Sequence, residues 1–537
     1  MWVWSKSVEC AGQEGEAAGL DSFYAVEVLQ MKRALFNIIF AKILKGVEIV
    51  GNRLPHPATL FALFAVFVLL FSGLGDLLNW SVVHPGTQEV VRPVNLLTVE
   101  GLHKIILKVV PNFTSFAPLG IVLVAMLGVG IADSSGLLGA LVRLLVLSSS
   151  ERILTFIIVF AGVISNLAAN VGYVLLIPLA GIIFHTMRRH PLAGMAAAFA
   201  GVSGGFSANV VIGTVDPLLA GLSQEAARII DPSYTVNPTA NYYFMFVSAF
   251  VIALIGTWVT EKIVVPRLGE YKGEKKAEEL TKLSRLEKKG LVFSMITFGI
   301  LLFFILLGII PQGGYLRGSD GGILRSPLIE GVIAFIFILF GATGIVYGVV
   351  LGKFKSDTDV IKSMAGSMKT LSMYLVLVFF AAQFVAYFKW SNLGIITAVK
   401  GADVLKSLNW GVIPTMILFV IFSGLINLLM GSASAKWAIL APIFIPMFMI
   451  LGYSPELSQV VYRIGDSITN IISPMMSFFA LIIAYFQSYD SKAGLGTLVS
   501  TMLPYSLFFF LGWSLLLIIW ILLGIPLGPG AGLFYSI

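Results

Sequence analysis

The chain has 537 residues, 58% of them hydrophobic and 12% charged, with a mean hydropathy of +0.94. No soluble globular chain of this length needs that much apolar surface, so the composition points to an integral membrane protein. The formal charge of +7 is spread over short loops, which argues against a nucleic-acid-binding face; a single cysteine, Cys10, excludes an internal disulfide framework or a multi-cysteine metal centre.

Residues 1–30 are acidic and lack the basic, apolar and small-residue order of a signal peptide. They read as disordered, or as preceding an alternative start at Met31. Lys32 to Lys45 is basic and amphipathic, so 1–45 is expected to be a tail and amphipathic segment, 46–525 the transmembrane domain and 526–537 a C-terminal tail. Apolar runs long enough to cross a hydrocarbon core of ~30 Å centre on 58–79, 111–131, 191–216, 240–262, 290–311, 328–352, 368–388, 455–485 and 495–522. Two further stretches, 151–186 and 411–451, are too long for one straight crossing and are interrupted by Gly, Ser or Asn. Each reads as a re-entrant hairpin, which is tolerated at membrane depth only where protein or a water-filled cavity satisfies its backbone. The expected fold is all-α, with nine transmembrane helices and two re-entrant hairpins.

The polar interruptions come as a pair. In one, SNLAAN (Ser165 to Asn170) precedes Pro191 and then GVSGGFSAN (Gly201 to Asn209). In the other, NLLMGSASAKW (Asn427 to Trp437) precedes Pro455 and then RIGDSITN (Arg463 to Asn470). Pro191 leads Gly201 by ten residues and Pro455 leads Gly465 by ten, with a three-residue difference in the spacing to Asn166 and Asn427. Repeats with interrupted apolar helices in corresponding positions mark the binding site of a secondary transporter. The repeats span about 111–262 and 368–522. Eight basic residues between Arg267 and Lys289 and four between Lys353 and Lys369 place both loops in the cytoplasm. Counting crossings back puts the N-terminus inside, the first hairpin entering from the cytoplasm and the second from outside, so the repeats are inverted. Lys389, Lys400 and Lys406 then fall in an outer segment, which reads as an interfacial helix with snorkelling lysines.

The run NRLPHP (Asn52 to Pro57), with SNLAAN, GVSGGFSAN and RIGDSITN, resembles the AbgT family of p-aminobenzoyl-glutamate transporters over nearly all of 46–525. The resemblance implies a bowl-shaped homodimer in a bacterial inner membrane, with an inner core around two hairpins and an outer scaffold. It implies transport of p-aminobenzoyl-glutamate; some members resemble efflux pumps that expel sulfonamide antimetabolites using an ion gradient. The architecture is similar to that of sodium-coupled dicarboxylate carriers.

The residues themselves outline a site. If a crossing begins at Pro455, Asp466 lies about 16 Å along it, near mid-membrane. Arg463, Asp466 and Asn470 share one helix face. Ser203 falls at similar depth in the first repeat, and Gly204 and Gly205 allow unwinding there. Asn166, Asn170, Asn427, Ser432 and Ser434 fall at the hairpin tips, and Asn209 closes the first glycine-rich run. Asn427, Asp466 and Asn470 suit Na⁺; an aspartate suits Na⁺ or a proton. Trp437 offers a face to a benzoyl or sulfanilyl ring, and Arg463 a partner for a carboxylate or sulfonyl oxygen. No other cofactor is expected.

Each assignment has a plainer counterpart. Arg463 and Asp466 also read as a structural ion pair; the cost of an intramembrane charge favours function. Asp216, ahead of Pro217, reads equally as a helix-terminus group and a proton relay. Trp437 reads equally as a packed aromatic, and Asp133 as the cap of a helix from Ser134. An intramembrane aspartyl protease is rejected: GLGD (Gly73 to Asp76) and Tyr489-Asp490 stand in reversed order on opposite faces, whereas two carboxylates must be adjacent to share a proton. A passive channel differs from a carrier in lacking concentrative flux.

Overall fold

The computed structural model describes residues 55–83, 88–167, 171–273, 282–323 and 326–536. The N-terminal 45 residues, Asn52 to Leu54 of the NRLPHP run, and Asn170 lie outside them. In chain order the principal helices are α1 Pro57–Leu77, α2 Val99–Thr114, α3 Ala117–Ser135, α4 Leu137–Leu147, α5 Leu154–Ser165, α6 Gly172–Thr186, α7 Pro191–Gly204, α8 Val215–Ala227 and α9 Tyr242–Leu268. They continue with α10 Arg285–Ile309, α11 Val332–Val350, α12 Asp357–Thr370, α13 Ser372–Trp390, α14 Leu393–Ser407, α15 Val412–Leu429, α16 Ala433–Ile450, α17 Pro455–Asn470, α18 Phe479–Gln487 and α19 Leu495–Leu523. The strands Val82–Val83 and Val90–Val91 pair antiparallel beyond α1.

Among the described residues, nine helices are long and apolar enough to cross a membrane. Seven fall on expected crossings. The other two are α15 and α16, each 18 residues long, inside the stretch 411–451 that had been read as one hairpin. The ranges 191–216 and 455–485 are not continuous helices. After α7, whose last turn widens to π-helix over Ala200–Gly204, the chain runs without helix to Thr214. Gly201, Gly204 and Gly205, with no side chains to pack along the helix, favour that ending. After α17, residues 471–478 are irregular. Pro474 lacks an N–H and disfavours helical geometry at Ser473, so α17 cannot pass it.

The order of helices α5 to α9 recurs in α15 to α19: two helices, a Pro-started helix, a break, a short helix and a long one. The packing recurs as well. A Cβ at Gly201 would collide with the Val159 carbonyl on α5, and one at Gly465 with the Val420 carbonyl on α15. Asn166 Nδ2 donates to the Gly205 carbonyl (3.4 Å), and Asn427 Nδ2 to Thr469 Oγ1 (2.8 Å), each reaching from its break to the Pro-started helix. The units touch where their helices break. Ser207 N–H donates to Ser467 Oγ (3.2 Å), and Tyr173 stacks on Phe478 with centroids 4.4 Å apart.

Outside this pair, α10 turns most of its surface outward, as a lipid-facing helix does. The segment carrying Lys400 and Lys406 is helical: α14 buries Leu393, Ile396, Val399 and Ala402 and leaves both lysines exposed. Asp133 does not cap a helix. It lies exposed within α3, and α4 begins after Gly136, whose positive φ of 86° reverses the chain without a side-chain cap. The C-terminal segment folds back, with Tyr535 N–H on the Gly452 carbonyl (2.8 Å) and Leu527 fully buried.

Candidate functional site

The site is built where α7, α8, α15, α16 and α17 converge. Ser454 caps α17 by accepting from Leu457 N–H (3.1 Å), and Pro455 starts its first turn with the fixed φ a helix needs. From there α17 carries Arg463, Asp466 and Asn470 inward, all buried. The three share a face but take different partners. Arg463 Nη2 binds Asp216 Oδ1 at 2.7 Å and donates to the Ser207 carbonyl at 3.1 Å. Asp466 pairs with Lys436, from the first turn of α16. The Arg463–Asp466 pair considered from sequence is thus replaced by two crossed pairs. The guanidinium reaches across to the first unit, and the ammonium fills the place beside Asp466.

Asp216 is only 6% exposed, in the first turn of α8. Its Oδ2 accepts from Asn209 Nδ2 (2.8 Å) and Gly213 N–H (2.6 Å). The first turn of α8, two N–H donors and a guanidinium thus converge on this carboxylate. Asn427, at the end of α15, donates through Nδ2 to the Asp466 carbonyl (2.7 Å), Thr469 Oγ1 (2.8 Å) and Asn470 Oδ1 (2.8 Å). Its Oδ1 receives the Lys436 ammonium.

Ser203 is fully buried in the π-turn of α7 beside the Tyr173 phenol. Among the described residues its hydroxyl and the buried Arg463 Nε make no hydrogen bond of normal length. Since buried polar groups are almost always paired, Arg463 Nε holds unspent bonding capacity for a polar ligand. Ser432 and Ser434 sit at the α15–α16 turn, where Ser432 Oγ accepts from Ala435 N–H (3.4 Å). Trp437 is fully buried, stacked on Tyr462 at 4.4 Å, and its Nε1 donates to Ser223 Oγ (2.9 Å). That hydroxyl donates to Gln459, which donates on to Asn241. One face of the indole is therefore already occupied.

The structure brings Ser203, Asn209, Asp216, Asn427, Trp437, Arg463, Asp466 and Asn470 into one buried region, leaves Asn166 at the first break and sets Ser432 and Ser434 at a turn. The oxygen-rich set Asn427, Thr469 and Asp466 has the chemistry of a Na⁺ site, although the Asn427 amide turns its nitrogen toward Asn470. Sequence reasoning missed Lys436. It is the one charged residue between 411 and 451, and the rule that gave weight to Arg463 and Asp466 applies to it equally. Ser207, Ser223 and Gln459 carried no comparable signal.

A membrane-embedded helical protein with two matched broken helices and a buried charged cluster at their crossing belongs to the class of multi-pass transporters. The chain belongs to the AbgT putative transporter family, which it matches over residues 42–535. It is 37% identical over 492 residues to the p-aminobenzoyl-glutamate transport protein of Escherichia coli strain K12, covering 91% of this chain and 96% of that one. Among solved structures it is similar to the YdaH transporter of Alcanivorax borkumensis, with a TM-score of 0.85 and 46% identity, over 88% of this chain and all of that one. It is also similar to MtrF of Neisseria gonorrhoeae, one of a class of antimetabolite efflux pumps, with a TM-score of 0.87 and 50% identity over 91% of this chain and all of that one.

Proposed function

We propose that this chain is a secondary active transporter of p-aminobenzoyl-glutamate and related aminobenzoyl and sulfonamide compounds. It works across a bacterial inner membrane, driven by a proton or sodium gradient, as a homodimer with a cytoplasmic N-terminus. The carrying observation is the meeting of two matched broken helices at Ser207 and Ser467, beside two buried ion pairs, Arg463–Asp216 and Lys436–Asp466. In this reading the units are inverted repeats whose interruptions are re-entrant, and the site opens to each side of the membrane in turn. The likeness to a p-aminobenzoyl-glutamate transport protein and to an antimetabolite efflux pump supports the substrate class. Arg463, with its Nε unspent, receives a substrate carboxylate or sulfonyl oxygen; Asp466 carries the coupling charge. A sodium-coupled dicarboxylate carrier is the second reading, favoured by the Asn427, Thr469 and Asp466 oxygens.

The test is flux of p-aminobenzoyl-glutamate in proteoliposomes of the purified chain, with pH and sodium gradients imposed separately. Uphill accumulation under one of them is expected. Equilibration without accumulation under either identifies a passive channel and ends the carrier reading.

A further inference from the structure

We propose that the end of α14 is a binding site for one anionic phospholipid, with the lipid phosphate on Lys406 and an acyl chain in the aromatic cavity beside Trp410. The inference rests on the membrane location of the chain and is independent of the transported solute. α14 joins two helices long and apolar enough to cross a membrane, α13 and α15. Its apolar face lies along α16, where Ile396, Val399 and Ala402 pack with Met447 and Ile450. Lys406, Asn409 and Trp410 around the end of α14, Thr415 in the first turn of α15, and Ile450 and Tyr453 at the end of α16 line one cleft of about 250 Å³. Three helix ends therefore meet at one level of the membrane. Lys, Trp and Tyr, each an apolar body with a polar tip, are the side chains that settle at a membrane–water boundary.

Two further spaces adjoin this cleft. The first, of about 230 Å³, is apolar; it shares Leu405, Trp410 and Thr415 with the cleft and is lined beyond them by Leu418, Phe422 and Phe444. Its rings are packed into a wall, with the Phe419 centroid 4.7 Å from that of Phe444 and 5.1 Å from that of Phe448. Trp410 is 48% exposed, Leu418 44% and Phe422 37%, so its mouth faces the hydrocarbon rather than the protein. Drug-sized solutes are held in pockets of about 300–1,000 Å³ that enclose most of their surface. A narrower slot, open along one side, suits a single hydrocarbon chain. The second space, of about 440 Å³, is polar; it shares Lys406 and Ile450 with the cleft and adds Lys400 and Asp403. Among the described residues neither lysine is in an ion pair. Two lysines less one aspartate leave a net charge of +1, which a phosphate diester neutralises and a zwitterionic headgroup does not. A cationic cleft and an apolar slot, joined at Trp410, thus match the two halves of an anionic phospholipid. The ends of α15 and α16 that it touches are those remote from Asn427 and Lys436, so a bound lipid braces the two helices that carry those residues.

The test is native mass spectrometry of the purified full chain in detergent, titrated with dioleoyl-phosphatidylglycerol or dioleoyl-phosphatidylethanolamine. One phosphatidylglycerol is expected to bind first, about fivefold more tightly than phosphatidylethanolamine. Lys400→Gln combined with Lys406→Gln should weaken that first binding by about thirtyfold, roughly fivefold for each lysine, and remove the headgroup preference. Lys355→Gln combined with Lys362→Gln takes the same charge from exposed positions outside the site and should leave binding unchanged. Melting curves on each preparation confirm that the variants are folded. Glycerophosphate, a headgroup without chains, should fail to displace the lipid. Equal binding of the two lipids, equal losses in the two double variants, or displacement by glycerophosphate overturns the proposal. Displacement by p-aminobenzoyl-glutamate overturns it as well, by making the cleft a solute site.

Discussion

The Pro-started helices α7 and α17 begin alike and pack alike, yet they break for different reasons and carry different loads. α7 is apolar but for Ser203 and dissolves at glycines, so what it and the break after it offer the site is mostly backbone: the Ser207 carbonyl and N–H, and the Gly205 carbonyl. Its counter-charge, Asp216, arrives only after the break, on α8. α17 is strongly amphipathic and carries Arg463 and Asp466 within the helix, ending at Asn470 ahead of Pro474. The two ion pairs show the same asymmetry. Arg463–Asp216 joins the units, whereas Lys436–Asp466 lies wholly within the second unit. The matched units thus bring different chemistry to the crossing: the first supplies backbone groups and Asp216, the second two cations and the Asp466 carboxylate.

The largest effect should come from removing that charge. Asp466→Asn keeps the shape and the backbone carbonyl on which Asn427 Nδ2 sits, but leaves Lys436 without a counter-ion. Loss of one partner from a buried pair typically costs about 3–5 kcal/mol. The variant should reach the membrane in normal amounts and lose gradient-driven transport by at least about a hundredfold. Concentrative flux at the wild-type rate would move the coupling role to Asp216.

Next come the matched glycines. Gly201→Ala drives a methyl into the Val159 carbonyl, and Gly465→Ala drives one into the Val420 carbonyl and Ser423. Backbone on both sides cannot yield, so each should cost about 3 kcal/mol or more and lower the melting temperature by a similar amount. If the units are structurally equivalent, the two losses agree. A benign Gly201→Ala beside a ruinous Gly465→Ala would mean that the glycine-rich break absorbs strain and the second does not.

Much of this was legible in the chain, and what was not has physical causes. The equal ten-residue spacing from Pro191 to Gly201 and from Pro455 to Gly465 survives as equal packing, because a proline start fixes helix phase and a glycine admits a carbonyl. The breaks inside 191–216 and 455–485 are hard to see in sequence because hydropathy averages over them; only Gly204, Gly205 and Pro474 mark where backbone bonding fails. Helical phase put Arg463 and Asp466 together but could not show that each side chain reaches away from the other, since their partners lie 247 and 30 residues off in sequence. Trp437 reads as apolar in sequence, and only the fold reveals the Ser223 hydroxyl that orients it.

Arg463→Lys sharpens the comparison between the pairs. A lysine can supply one contact where the guanidinium binds Asp216, donates to the Ser207 carbonyl and keeps Nε unspent. If Nε takes the substrate carboxylate, losing that charge-assisted contact should cost about 1.5–3 kcal/mol, or roughly ten- to hundredfold in p-aminobenzoyl-glutamate affinity, with sodium binding little changed. A purely anchoring arginine predicts the reverse, namely a lowered melting point and unchanged affinity in the folded fraction. Binding isotherms and melting curves on one preparation separate the two.

The smallest effect concerns how the two helices are started. α17 is capped by Ser454, which does not titrate in the working range, but α7 is capped by His190, whose Nδ1 accepts from Leu192 N–H at 3.3 Å. An imidazole can accept there only while neutral. Burial pushes the His190 pKa below its ordinary value, with the Asp490 carboxylate opposing. The unfolded chain therefore takes up a proton before the folded one does. The cap's contribution is fully present above about pH 6.5 and is lost as the pH falls from there toward the folded value. Ser454→Ala should cost about 1 kcal/mol at every pH. His190→Asn keeps an acceptor for Leu192 N–H and removes the titration, so its melting temperature should match wild type at pH 7.5 and exceed it at pH 5. Melting curves at the two pH values decide it. Parallel acid losses in wild type and His190→Asn would mean that the acid sensitivity arises elsewhere and that the two helix starts are equivalent after all.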